Sequence, residues 1–122
     1  MNKVKLASTL LGATLMFGAV VPFASAAAVS ETIFNGAKLY KRERCETCHG
    51  ATAEGGPAFP NLVTGLKNLN QEQFKAVVLN GRGNMPAFSG NKKVADGIDS
   101  LYAYLKGRSD GTVPAGDLEV AK

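Results

Sequence analysis

Cys45-Glu46-Thr47-Cys48-His49 sets two thiols three residues apart and an imidazole directly after the second. Several chemistries use such groups. Zinc takes about four Cys, His or carboxylate ligands, and the whole chain holds two Cys and one His. A redox-active C-x-x-C dithiol belongs in a βαβ context, and no such pattern is visible here. A structural disulfide between these two cysteines would close a tiny loop and stabilise little. The chemistry that suits the spacing best is covalent haem attachment. Two thiols so placed add to the two vinyl groups of one porphyrin, and the next residue then lies under the iron, where imidazole nitrogen is a good ligand.

The other axial position can be approached by elimination. His49 is the only histidine, so a second histidine ligand from the same chain is excluded. The methionines are Met1, Met16 and Met85, and the first two fall in an N-terminal leader. Met85 is then the remaining thioether, in Gly81-Arg82-Gly83-Asn84-Met85-Pro86-Ala87-Phe88. Glycines there let backbone approach a flat cofactor, and Pro86 restricts the residue before it. The competing readings are a methionine that only fills an apolar gap, a lysine ligand, or an open iron site.

These residues need a scaffold, and the pattern supplies helices. Ser30 is a candidate N-cap for a helix from about Glu31 to Arg44, with Ile33, Ala37 and Tyr40 as its apolar stripe. A second is expected from Gln71 to Asn80. Asn70 and Gln73 stand at capping-box spacing, Phe74, Val77 and Val78 share a face, and Gly81 follows as a C′ residue. A third is expected from Lys92 to Lys106, where Val94, Ile98, Leu101, Tyr102 and Leu105 keep helical rhythm and Gly107 ends it. The stretches between them are long and rich in glycine or proline, and long structured loops in a small domain usually wrap something. No segment alternates well enough to read as a strand. The expected fold class is all-α, three main helices and two long loops around one haem. Residues 108–122 read as a polar, turn-prone and loosely held tail.

The leader is residues 1–26. Asn2-Lys3-Val4-Lys5 is a basic start, Leu6 to Val21 is almost wholly apolar, and Ala24-Ser25-Ala26 has the small-residue form of a cleavage site. This is the pattern of a secretory signal peptide, and its apolar run is short for a membrane span of about 20 residues. An uncleaved anchor is the rival reading. Cleavage near Ala26 would leave one exported domain over 27–107 plus the tail, with no stable membrane span. A domain that small needs help for its core, which an attached apolar cofactor would give. The formal charge of +4 counts Lys3 and Lys5, which would leave with the leader. What remains gives no support for nucleic-acid binding.

From Ile33 to Lys106 the chain resembles the class I c-type cytochromes, specifically their small soluble bacterial members. The resemblance rests on Cys45-x-x-Cys48-His49, on Asn84-Met85-Pro86-Ala87-Phe88, on Gly36 and Tyr40 in the first helix, and on Leu101 and Tyr104 in the last. It implies one haem c bound through Cys45 and Cys48, iron held by His49 and Met85, and first and last helices that cross in contact at the glycine. Pro60-Asn61-Leu62 resembles the segment whose proline carbonyl accepts the proximal histidine's other ring N–H, with Pro57 as the alternative. The resemblance implies a one-electron carrier and not an enzyme.

His–Met ligation and an apolar shell both favour ferrous iron and raise the potential. The electron would pass at an exposed haem edge near the cysteines and the Met85 loop. Lys38, Lys41, Arg42 and Arg44 could steer an acidic partner, or could simply be a solvated helix face. The wording from Leu101 to Gly111 resembles cytochromes that accept electrons from quinoprotein (pyrroloquinoline quinone) alcohol dehydrogenases, which implies such a donor and a terminal oxidase as acceptor. A carrier serving another dehydrogenase or oxidase, a haem enzyme or gas sensor with an open sixth site, and a non-haem exported binding module are the other readings.

Overall fold

The computed structural model describes residues 25–122 and, ahead of them, only Gly12 and Gly18. The expected leader otherwise lies outside the described residues. The elements in order are strand β1 (Ala27–Val29), helices α1 (Glu31–Arg42), α2 (Cys45–His49), α3 (Leu62–Gly65), α4 (Gln71–Asn80) and α5 (Lys92–Asp110), and strand β2 (Leu118–Val120).

Local signals set the helix ends. The Ser30 side chain accepts from the Ile33 amide and starts α1. Asn70 and Gln73 satisfy each other's backbone amides in a complete capping box at the start of α4, and Gly81 closes that helix with φ +77°. Asn91 caps α5, accepting from Lys93 and Val94. The first helix stops two residues short of the expected Arg44. Arg44 adopts a left-handed backbone (φ +62°), and the chain restarts as the one-turn α2 that carries both cysteines and His49.

The long helices α1 and α5 pack on each other over the most extensive contact among the described residues. They meet at Gly36. A Cβ there would fall on the Ser100 carbonyl and within 2.8 Å of the Tyr104 Cβ. The Tyr40 ring, fully buried, lies against Tyr104 with centroids 5.7 Å apart and planes tilted by 58°, a favourable arrangement for aromatic quadrupoles. Leu39, Ile98, Leu101 and Leu105 extend this core, and α4 joins it through Phe74, whose ring sits 5.3 Å from Tyr102.

The end of the chain corrects the sequence reading. Gly107 does not stop the last helix, which runs on to Asp110 and is closed by Gly111 at φ +84°. The reason for a glycine at 107 is room: a Cβ there would overlap the Val113 side chain. Residues 108–122 are not a loose polar tail either. Val113 is buried and bonds from its amide to the Gly107 carbonyl. Leu118–Val120 then pairs in parallel with Ala27–Val29, so the two ends of the described chain are joined by backbone hydrogen bonds. The fold is therefore mostly helical with one two-stranded ribbon that is too short to show as alternation in the sequence. A Val113→Ala change is expected to cost about 1–3 kcal/mol by the scale of buried aliphatic truncations. Chemical denaturation would show it as a lower midpoint, whereas a loosely held tail would show no shift.

Candidate haem site

Two loops of like construction flank the site. Each begins with a glycine at positive φ, Gly55 at +75° and Gly81 at +77°, and each ends on a proline, Pro60 and Pro86. Between them the chain closes a tight antiparallel bridge, Gly56 with Phe59 and Arg82 with Met85. Both glycines are held against the carbonyls their own loop turns back. A Cβ on Gly55 would lie 2.7 Å from the Pro60 oxygen, and one on Gly81 2.7 Å from the Met85 oxygen. Any L-residue would be strained at either φ and blocked by these contacts as well.

The first loop orients His49. This side chain is only 9% exposed, and its Nδ1 lies 3.1 Å from the Pro60 carbonyl oxygen. A carbonyl only accepts, so Nδ1 carries the proton and Nε2 presents a free lone pair. Between the two prolines that sequence left open, the acceptor is Pro60. The second loop brings Met85 to the same cleft as His49 and Cys45.

The cleft has a volume of about 870 Å³ and is walled by α2, by the two loops and by α3 and α4 residues, a size typical of cofactor pockets, about 300–1,000 Å³. A smaller cavity of about 60 Å³ shares His49, Leu66 and Met85 with it and is largely aliphatic and aromatic, including Phe74, Val78, Leu101 and Leu105. Cys48, Phe59 and Pro86 line the larger cleft and are exposed, which places its mouth beside the second cysteine and the end of both loops. Of the four cations before the motif, only Arg44 lines this cleft. Lys38 instead stands over the Phe34 ring at 5.6 Å. Arg82, which the sequence reading did not single out, is a second cation on the cleft wall.

The donor set decides what the cleft can hold. Among the described residues no three His, Cys, Asp or Glu side chains come together as a metal-holding group. The two cysteines form no disulfide. Burial, with Glu43, Cys48 and Glu46 adding to it, pushes a free Cys45 thiol up to about 11, the opposite of the lowered pKa a redox dithiol needs. What remains together is two sulfurs, one oriented imidazole and one thioether around an apolar cavity. That set suits a porphyrin, which brings four nitrogens of its own to the metal. Among the described residues no helix is long and apolar enough to cross a membrane.

Two contacts were not foreseen in the sequence. Tyr40 donates its hydroxyl to the Gly50 carbonyl, and burial keeps that hydroxyl protonated far above the ordinary tyrosine range. Arg108, 9% exposed, reaches the Thr52 and Val113 carbonyls. Arg108 continues the apolar stripe of Leu101, Tyr104 and Leu105 at helical spacing. A charged residue on a buried stripe was the available sign that it had buried partners.

Comparison with known proteins agrees with this geometry. Residues 31–105 match the family described as "Cytochrome C oxidase, cbb3-type, subunit III". Cytochrome c-555 of Methylococcus capsulatus is 61% identical over 118 residues, 97% of this chain and 95% of that protein. Cytochrome c6 of Nostoc is 34% identical over 99 residues, covering 72% of this chain and 80% of that one. The crystal structure of the c-type cytochrome XoxG from Methylobacterium extorquens superposes with a TM-score of 0.73 at 30% identity, over 79% of this chain and 62% of that chain. The chain thus belongs to the small monohaem c-type cytochromes, electron carriers with one haem bonded through the sulfurs of a motif that here is Cys45-x-x-Cys48-His49.

Proposed function

We propose that this cytochrome works in a bacterial periplasm, taking electrons from a quinoprotein alcohol dehydrogenase and passing them to a terminal oxidase. In this reading His49 and Met85 are the axial ligands of the iron. When bound, the haem supplies a one-electron Fe(III)/Fe(II) couple. The observation that carries the ligand assignment is the Nδ1–H of His49 on the Pro60 carbonyl, which leaves Nε2 free to bind, together with Met85 in the same cleft.

The chain's own residues do three things for such a carrier. The Pro60 carbonyl fixes the imidazole's tautomer and raises its basicity, as outer hydrogen-bond partners of metal ligands do. Leu66, Phe74, Leu101 and Leu105 form an apolar lining beside His49 and Met85 and so disfavour the more positive ferric state. The mouth by Cys48, Phe59 and Pro86 leaves one edge open for a brief contact with a partner, which calls for a small patch. Export is supported by the leader pattern.

The dehydrogenase partner is favoured by the wording of Leu101 to Gly111. Mixing oxidised cytochrome with reduced quinoprotein alcohol dehydrogenase is expected to give transfer at least tenfold faster than with an unrelated cytochrome of similar potential and charge. An equal rate would remove this donor and leave another dehydrogenase or an oxidase complex as the partner.

A further inference from the structure

The segment that follows the haem motif is gripped from the helical core. Tyr40 holds the Gly50 carbonyl. Two residues on, Arg108 donates from both Nε and Nη2 to the Thr52 carbonyl, at 3.2 and 2.9 Å, and from Nη1 to the Val113 carbonyl at 2.9 Å. Its Nη2 also stands 3.4 Å from Glu54, whose side chain is mostly in solvent. The buried partners of this charge are therefore backbone carbonyls. The planar fork serves two carbonyls on different segments with N–H donors in fixed, spread positions, a geometry that a compact ammonium does not reproduce.

From Thr52 the path to the proximal imidazole is short and tight. Ala53 comes next, fully buried and at φ +65°. L-residues other than glycine are disfavoured in that left-handed conformation, and an alanine persists there only where the surroundings over-determine it. The Ala53 carbonyl accepts from the Leu62 amide at 2.8 Å, and the Gly55 amide donates to the His49 carbonyl at 2.7 Å. Gly55 in turn lies directly under the Pro60 carbonyl, the group that receives the His49 Nδ1–H. Apart from the imidazole bond itself each link is a backbone contact, and all lie between His49 and Leu62.

We propose that Arg108 is a positioning residue for His49: by fixing the Thr52 carbonyl it holds the Pro60 carbonyl in line with the imidazole. The proposal rests on His49 as an iron ligand. A slack Pro60 contact would make the imidazole a weaker donor to iron, which favours the ferrous state and raises the midpoint potential. Losing a buried cation has the opposite sign, so the variant that keeps the charge separates the two.

Arg108→Lys is that variant, and the protein is tested with its haem. The expected result is faster exchange of the His49 ring N–H proton by NMR, by roughly tenfold on the scale of one lost hydrogen bond to a charged group, with a raised midpoint potential. Val29→Ala serves as the control. It opens a buried position on β1 but leaves every Arg108 partner in place, and it should be less stable with ring exchange and potential unchanged. If Arg108→Lys lowers stability yet leaves exchange and potential as in the wild type, the proposal is overturned. Equal loosening of the ring in the control also overturns it, because any destabilisation would then suffice. Failure of the underlying reading is recognised separately. The wild-type ring proton would then lack the paramagnetic shift of an iron-bound imidazole before any variant is made.

Discussion

Gly36→Val is expected to destabilise the holoprotein by more than about 3 kcal/mol, the upper end of ordinary overpacking. At Gly36 the obstacle is not a side chain that could rotate away. A Cβ would fall on the Ser100 carbonyl, which belongs to α5's own hydrogen-bond ladder, and against the Tyr104 Cβ. The helices would have to separate, and the Tyr40–Tyr104 contact lies at that crossing. Tyr40 also anchors the chain just past His49 through the Gly50 carbonyl. Damage at the crossing therefore reaches the proximal side of the site. For a domain whose stability is of order 5–15 kcal/mol, the loss should appear as a large drop in thermal midpoint and in the yield of haem-loaded protein. A valine variant with wild-type stability would mean that α1 and α5 do not meet at this glycine.

Met85→His carries the largest expected effect on function. A thioether favours ferrous iron, and a second imidazole favours it less. The midpoint potential should fall by about 0.1–0.2 V, a modest part of the roughly 0.8 V over which axial ligands set haem potentials. Met85→Leu is the companion. It keeps the apolar contact but offers no lone pair, so the reduced protein should bind carbon monoxide. Spectroelectrochemical titration reads the first effect and difference spectra the second. If both variants keep the wild-type potential and exclude carbon monoxide, Met85 is only a core side chain.

The chemistry was legible because it is local. Five consecutive residues carry the attachment motif, and scarcity did the rest, with one histidine and one methionine beyond the leader. Helix α4 was legible to the residue, since its capping box, apolar face and closing glycine all lie inside it. The end of the first helix was not. Arg44 takes a left-handed conformation because α2 must turn the cysteines toward the cleft, and nothing in its own side chain announces that. Gly107 misled for a related reason. A glycine that makes room for Val113 looks the same in sequence as one that ends a helix. The paired termini were invisible because three residues on each side are too few to show a period. Arg108 stood on the α5 stripe in plain view, but its partners are backbone carbonyls, which have no sequence signature.

The most direct test of the whole account is the absorption spectrum of the oxidised protein, recorded before and after reduction under carbon monoxide. His49 and Met85 holding one covalently bound haem predict a low-spin spectrum with a weak sulfur-to-iron charge-transfer band in the far red, and no change on adding carbon monoxide to the reduced form. A high-spin ferric spectrum without that band, together with carbon monoxide binding, would contradict it.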